Sequence, residues 1–362
     1  MRVHVVDPSA YTAPYDHALC AAVARAGAEV ELITSRFVHG PAPPVGGYAV
    51  DERFYRLAPG SPRSPLRRAA KLAEHVPDLL GYRLHGRGAD VVHVQWLTLP
   101  RLDWALLPRG RALVYTAHNA LRLDAGAAQR RMCRRADAVV VHSPAARDRL
   151  CATVPGLDAA RVHAIAHGAF DYLNKLPEER PLPPELAAVS GPVALCFGLL
   201  RPYKGIDVLL EAWRGVEAGE LWIVGAPRMD IAALRASSPP NVRWVARFVP
   251  DPELPAYLRR ADVVVLPHRR VDQSGAALAA LAFGRPLLLT DVGGFRELGA
   301  AGAARLVPPG QPDALRSELV QLLGDRGARD QLAAAARAAA AGPFSWERIG
   351  EETVALYRSL LE

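Results

Sequence analysis

Arg201 and Lys204 lie three residues apart in the turn Gly198-Leu-Leu-Arg-Pro-Tyr-Lys-Gly205. The turn follows the apolar run Val193 to Phe197, which reads as a strand, and precedes a helix expected to begin near Ile206. A guanidinium offers a planar fork to phosphate oxygens and an ammonium offers a compact point charge, so the pair can hold both phosphates of a diphosphate. Open parallel sheets bind ligands at the carboxyl ends of their strands, and the N-terminus of the following helix favours anions. Only Lys71, Lys175 and Lys204 of the 44 basic side chains are lysines, so a lysine kept in this turn points to a chemical need for it.

A second loop leads to the same chemistry. After the apolar run ending at Leu266 come Pro267, His268, Arg269, Arg270, Val271, Asp272, Gln273, Ser274 and Gly275, then a helix expected over Ala276 to Phe283. Ser274 and Gly275 sit at the helix start, where backbone amides lack intrahelical partners and glycine permits close approach of a ligand. In isolation this is an ordinary capped turn; beside Arg201 and Lys204 it is a phosphate dock. In the first half, His118 and Asn119 follow the strand Leu113 to Thr116, and Gln95 and Trp96 end the strand before it. His142, His167 and His268 end strands too, so position alone does not choose among the histidines.

Short β-branched runs alternate with Ala/Leu/Arg-rich helical segments through both halves, as expected of βαβ units. Strands are expected at Val3 to Val6, Val30 to Thr34, Val91 to Gln95, Leu113 to Thr116, Ala138 to Val141 and Val162 to Ile165. The second half repeats the plan at Val193 to Phe197, Leu221 to Val224, Val242 to Val245, Val263 to Leu266, Pro286 to Leu289 and Ala304 to Val307. The string Arg-Arg-Ala-Asp, at 134–137 and again at 259–262, feeds a valine-rich strand each time. The expected class is α/β, with a Rossmann-like doubly wound domain over 1–172 and another over 192–344. Between them the proline-rich stretch 173–191 reads as a linker, and 345–362 as a capped terminal helix opening at Ser345.

Composition narrows the function classes. A chain of 362 residues, half of them apolar, suits two domains with sizeable cores. The net charge of +7 comes without a Lys/Arg block interleaved with aromatics, so nucleic acid is not an expected partner. Arg63, Arg67, Arg68 and Lys71 read as a solvated helix face in preference to a contact with an anionic membrane or a lipid-linked acceptor. Cys20, Cys133, Cys151 and Cys196 have no metal-ligand spacing and there is no Asp-x-Asp, so no metal is expected. No apolar run is long enough for a signal peptide or a membrane span, and a reducing cytosol is the expected location, as monomer or weak homodimer.

Taken together, these residues resemble the retaining GT-B glycosyltransferases of family four (glycosyl transferases group 1), over nearly the full length. The matching features are the Arg-x-x-Lys-Gly turn at 201–205, Ala282-x-Gly284-x-Pro286, and Asp291-Val-Gly293-Gly294 with Glu297. The His118 loop and the Ser345-Trp346 helix start match as well. The resemblance implies two domains facing a central cleft, a nucleotide-sugar donor held there without metal, and a last helix crossing back to the first domain. It also implies that Arg201 and Lys204 neutralise the leaving diphosphate and that His118 lines the donor-sugar site. Donor contacts are thus expected from Gly198, Arg201, Lys204, Asp272, Gln273, Ser274 and Gly275. Acceptor contacts are expected from Tyr15, Asp16, His17, Gln95, Trp96 and Asn119, with Tyr11 in the same first loop.

Two departures stand out. The family carries two glutamates eight residues apart where this chain has Val271 and Ala279, the second of which holds the nucleotide ribose; Asp272, one residue away, is a substitute for the first. The first loop, Pro8 to Asp16, lacks the glycines common in the family. The expected activity is transfer of a hexose-like sugar from a nucleoside diphosphate to a small-molecule or lipid-linked acceptor. The rival readings are a sugar-nucleotide epimerase, a phosphorylase-like enzyme, or a nucleotide-sugar-binding subunit with reduced catalysis.

Overall fold

A computed structural model describes residues 1–38, 45–58, 64–108, 110–119 and 126–362; Arg63 lies outside them. The chain forms two compact units, one of Met1–His167 with Trp346–Glu362 and one of Gly168–Ser345.

The first unit is built on a parallel sheet of seven strands: β1 (Arg2–Asp7), β2 (Glu29–Ser35), β3 (Ala49–Phe54), β4 (Val91–Val94), β5 (Ala112–Thr116), β6 (Ala138–Val141) and β7 (Val162–Ala164). Their order across the sheet is β3-β2-β1-β4-β5-β6-β7, all neighbours parallel. The sheet reverses its winding between β1 and β4, which opens a crevice beyond the carboxyl ends of those strands. The β3 strand was not expected from sequence. Asp51, Glu52 and Arg53 interrupt its apolar pattern, and such a strand is tolerated at a sheet edge where only one side is covered.

The second unit carries six parallel strands: β8 (Val193–Phe197), β9 (Glu220–Val224), β10 (Val242–Val245), β11 (Val263–Leu266), β12 (Leu287–Thr290) and β13 (Ala304–Val307), in the order β10-β9-β8-β11-β12-β13. Here the winding reverses between β8 and β11. Four of the strands, β8, β9, β11 and β12, are continuous apolar or near-apolar runs buried on both faces, as parallel strands must be when helices cover both sides.

The repeated Arg-Arg-Ala-Asp string has a structural cause. Asp137 accepts the Leu113 N–H at 2.8 Å while its own N–H donates to the Leu113 carbonyl. Asp262 does the same with Val193, accepting at 2.9 Å. Each aspartate therefore sets the register of an incoming strand against its neighbour.

Two boundaries differ from expectation. Residues 173–191 are not a free linker but belong to the second unit, because Glu179 pairs with Arg259 at 2.5 Å and the Arg180 N–H donates to the Pro252 carbonyl at 2.7 Å. The units divide at His167, not after residue 172. The terminal helix Trp346–Ser359 folds with the first unit. Gly350 lies where an added Cβ would meet the Ala22 carbonyl oxygen at 2.5 Å, and the Tyr357 hydroxyl is 2.5 Å from His93 Nδ1 under the sheet.

Candidate functional site

In the second unit three loops leaving β8, β11 and β12 press together. Gly198, at φ +101°, is the residue that lets them do so: a Cβ there would stand 2.7 Å from Lys204 Nζ and 3.9 Å from Ala276 Cβ. Gly205 is left-handed at φ +67°, and a Cβ would meet the Pro267 carbonyl oxygen at 2.1 Å. The Arg269 N–H donates to the Tyr203 carbonyl at 2.7 Å and its guanidinium to the Pro202 carbonyl at 2.9 Å, stitching the first loop to the second. Gly293, at φ +45°, presses on the Val271 carbonyl and Gly294 on that of Asp272, which brings in the third loop.

This packing places the Lys204 turn beside the start of the helix Gly275–Ala282, as the sequence suggested. Ser274 caps that helix, its hydroxyl accepting the Ala277 N–H at 3.4 Å. Lys204 is buried, with one Nζ hydrogen bond to the Phe197 carbonyl at 2.9 Å. An ammonium has three donors, so two remain for a ligand. Burial lowers the Lys204 pKa, and the nearby Arg201 charge lowers it further. Arg201 is partly exposed at the same turn; Asp272 is buried and Gln273 half-buried. Val271 and Ala279, where the family has glutamates, are buried.

Two polar groups at this site were not singled out as ligands from the sequence. His268 is buried, both ring nitrogens lack hydrogen-bond partners, and its pKa is pushed well below the usual imidazole range, first by burial and then by Lys204. Glu297 has one buried carboxylate oxygen without a partner, and burial raises its pKa. Buried polar groups are normally paired, and leaving one unpaired costs about 1–3 kcal/mol, so two orphans in one site fit a polar ligand. Glu297 already stands in the Asp-Val-Gly-Gly motif; nothing in the sequence marks His268 beyond its place after β11.

In the first unit, His118, His142 and Gln95 form one chain of hydrogen bonds. His142 Nδ1 donates to the Ile165 carbonyl at 3.2 Å, so its Nε2 is bare and accepts from His118 Nδ1 at 3.0 Å. His118 Nε2 is then bare as well and lies 3.0 Å from Gln95 Oε1, while Gln95 Nε2 has no partner. Turning the Gln95 amide about its axis satisfies both atoms, a choice that only the network can make. Burial holds the His118 pKa well below the usual range, with the His142, His167 and His93 charges adding to the effect, and lowers His142 to about 4. Trp96 stacks on His118 at 4.8 Å, and its Nε1 donates to Thr12 Oγ1 at 2.7 Å. With both ring nitrogens engaged, His118 is a fixed, neutral wall.

Tyr15, Asp16 and His17 do not sit as exposed acceptor contacts. Tyr15 is buried against the rings of His118, His142, His167 and Trp346 at 4.6–5.6 Å. His17 Nδ1 lies 2.6 Å from the Tyr48 hydroxyl, and Asp16 accepts from Thr12 Oγ1. These residues begin the helix Ala13–Arg25, whose inner face packs on the sheet. The exposed side chain of the loop is Tyr11, 68% accessible and packed on Trp96. Gln95 is buried, Trp96 half-buried and Asn119 exposed.

Two family models match the chain: Glycosyltransferase Family 4 over residues 15–169 and Glycosyl transferases group 1 over residues 191–325. The chain is 30% identical over 225 residues to a D-inositol 3-phosphate glycosyltransferase of Jonesia denitrificans, covering 57% of this chain and 53% of that one. It is 31% identical over 207 residues to a GDP-mannose:glycolipid 4-beta-D-mannosyltransferase of Xanthomonas campestris pv. campestris, covering 55% and 54%. The matched region thus spans about half the length of these two relatives. In fold it is similar to Anabaena HepE, crystallised with UDP, at a TM-score of 0.71, 17% identity and coverage of 99% of both chains.

Proposed function

The chain belongs to the family 4, group 1 glycosyltransferases, and from that premise we propose that it moves a hexose-like sugar from a nucleoside diphosphate to an acceptor, with retained anomeric configuration. The observation that carries this reading is the convergence of three loops on a buried lysine with spare donors, beside Arg201, a capped helix start and the two orphans His268 and Glu297. The leaving diphosphate gains charge in the transition state, so cations already in place are the expected main catalytic device. Lys204 and Arg201 take the diphosphate, Ser274 and Gly275 present amides to it, and Asp272 and Gln273 border the donor. The acceptor meets the first unit at Tyr11, Trp96 and Asn119, while Tyr15, Asp16 and His17 hold that surface from behind. The proton of the acceptor hydroxyl passes to a donor phosphate oxygen, and no metal takes part. No helix among the described residues is long and apolar enough to cross a membrane.

A panel of sugar nucleotides scored by thermal stabilisation, followed by transfer assays with and without EDTA, tests the reading. The cognate donor is expected to raise the melting temperature and transfer to proceed under chelation. Loss of turnover with EDTA, restored by Mg²⁺ or Mn²⁺, defeats the metal-free mechanism. Donor binding without hydrolysis or transfer favours a binding subunit, a reading that the apolar Val271 and Ala279 support.

The lost ribose carboxylate yields its own expectation. Asp272→Ala weakens nucleotide binding by about 1–3 kcal/mol if Asp272 is the substitute contact, and Ala279→Glu tightens it by a similar amount. Because Ala279 is buried, the second variant is informative only if its melting temperature matches wild type. Unchanged affinity in both, read by calorimetry, places the ribose elsewhere.

A further inference from the structure

The first unit holds a cluster of metal-ligating side chains that the transfer reaction does not use. His4 on β1 and Glu31 on β2 are register partners on adjacent parallel strands, so their side chains leave the same face of the sheet. The helix Pro65–His85 covers that face and ends on His85. His4 Nε2 lies 3.2 Å and His85 Nε2 3.0 Å from the same carboxylate oxygen of Glu31, and the three ligand atoms all fall within 4.8 Å of one another.

A hydrogen bond from His85 to Glu31 explains one of these approaches and leaves the other unexplained. His4 is 1% exposed, and its Nε2 has no hydrogen-bond partner although it points into the cluster. Such an atom costs about 1–3 kcal/mol unless something binds it. Its other nitrogen is already arranged for a metal. His4 Nδ1 lies 3.4 Å from the hydroxyl of the buried Tyr82, which accepts a hydrogen bond from Nδ1–H in the tautomer that leaves Nε2 bare for a metal. Zinc bonds of about 2.0–2.2 Å at tetrahedral angles put neighbouring ligand atoms about 3.3 Å apart, close to the two His-to-Glu separations. The His85 side chain, 38% exposed, is free of the packing that holds His4 and can turn toward the third side. Arg2 and Arg53 oppose a cation here; Arg2 is paired with Glu29 and Arg53 with Asp51.

We propose that His4, Glu31 and His85 form a binding site for a borderline divalent cation, zinc in the first instance, with water as the fourth ligand. The imidazole and carboxylate donors suit zinc better than magnesium or calcium, which prefer oxygen cages. The cation pins the end of the long helix to β1 and β2. Three residue steps along β1 lead from His4 to Asp7, at roughly 3.3 Å each, so the pin lies about 10 Å from the carboxyl end of the strand.

The test is calorimetry and thermal melting of the full chain, stripped with chelator and titrated with ZnCl₂, with the absorption of CoCl₂ as a reporter of tetrahedral N/O ligation. One zinc per chain is expected, with a rise in melting temperature. His85→Ala and Glu31→Gln, both at partly exposed positions, abolish that rise and the cobalt bands. Tyr82→Phe weakens binding about 10- to 100-fold, and substitution of His163, which lies on β7 at the other edge of the sheet, leaves it unchanged as His163→Ala. Absence of one-to-one binding in the wild type, or retention of it in His85→Ala and Glu31→Gln, overturns the proposal. Sugar transfer is not the readout, so the outcome is independent of the donor assignment.

Discussion

Lys204→Met is expected to lower sugar transfer by about ten- to hundredfold while the protein stays folded. The methionine keeps the apolar stem but removes two charge-assisted hydrogen bonds to the diphosphate, each worth about 1.5–3 kcal/mol, partly offset by water and by Arg201. Each 1.36 kcal/mol is a factor of ten in rate. The folded protein loses one bond, from Nζ to the Phe197 carbonyl, and is relieved of a desolvated charge at the same time. Lys204→Arg is not expected to rescue activity. Nζ already occupies the space 2.7 Å from where a Cβ on Gly198 would be, and a buried guanidinium is too large for that niche. This accounts for a lysine surviving in a chain whose other basic positions are almost all arginine. Turnover with a confirmed donor and the melting temperature, measured side by side, decide the matter: wild-type turnover in Lys204→Met removes the lysine from the diphosphate site.

Lys204 was legible in the sequence because its signal is local. A glycine-bounded turn after an apolar strand, holding a rare residue type, needs no knowledge of distant contacts. The strands were legible for a related reason: parallel strands buried on both faces read as unbroken apolar runs, and all twelve expected runs coincide with strands to within a residue or two at their ends. What failed depended on packing between segments. The charged edge strand Ala49–Phe54 pairs on one side only and shows no apolar run. The prolines of 173–191 suggested a linker, but the Glu179 to Arg259 ion pair and the Arg180 to Pro252 hydrogen bond, visible only in three dimensions, tie that stretch to the second unit. The first loop was expected to meet an acceptor through Tyr15, Asp16 and His17, whereas these side chains turn inward with the first helix. The orphaned nitrogens of His268 were beyond sequence reasoning, since His118 and His142 follow β5 and β6 in the same way with both nitrogens engaged.

Asp7→Ala is expected to destabilise the first unit by about 3–5 kcal/mol, because three backbone N–H donors lose their acceptor at about 1–3 kcal/mol each where they are buried. Asp7 and Asp16 are both almost wholly buried. The Asp7 carboxylate ends β1 and accepts the N–H groups of Ser9, Tyr11 and Thr12, which identifies it as the ionised partner. Asp16 holds the shared proton: burial pushes its pKa well above 3.8, and the Asp7 charge and hydrogen bond push it the same way. Deleting Asp7 strands three backbone donors and the Asp16 hydroxyl at once, and for a unit of this size the loss lowers the melting temperature by roughly 6 to 20 °C. Asp16→Asn behaves differently, because its amide can still donate to Asp7 without titrating. In the wild type the folded unit binds one proton more than the unfolded chain above pH 3.8, so stability is full below that value and falls as pH rises toward the raised pKa. The slope is at most about 1.4 kcal/mol per pH unit. Denaturant unfolding between pH 4 and 8 should therefore show wild type losing stability relative to Asp16→Asn as pH rises. Parallel pH profiles for the two proteins would mean that Asp16 is ionised in the fold and that the loop between Asp7 and Asp16 is held by its backbone alone.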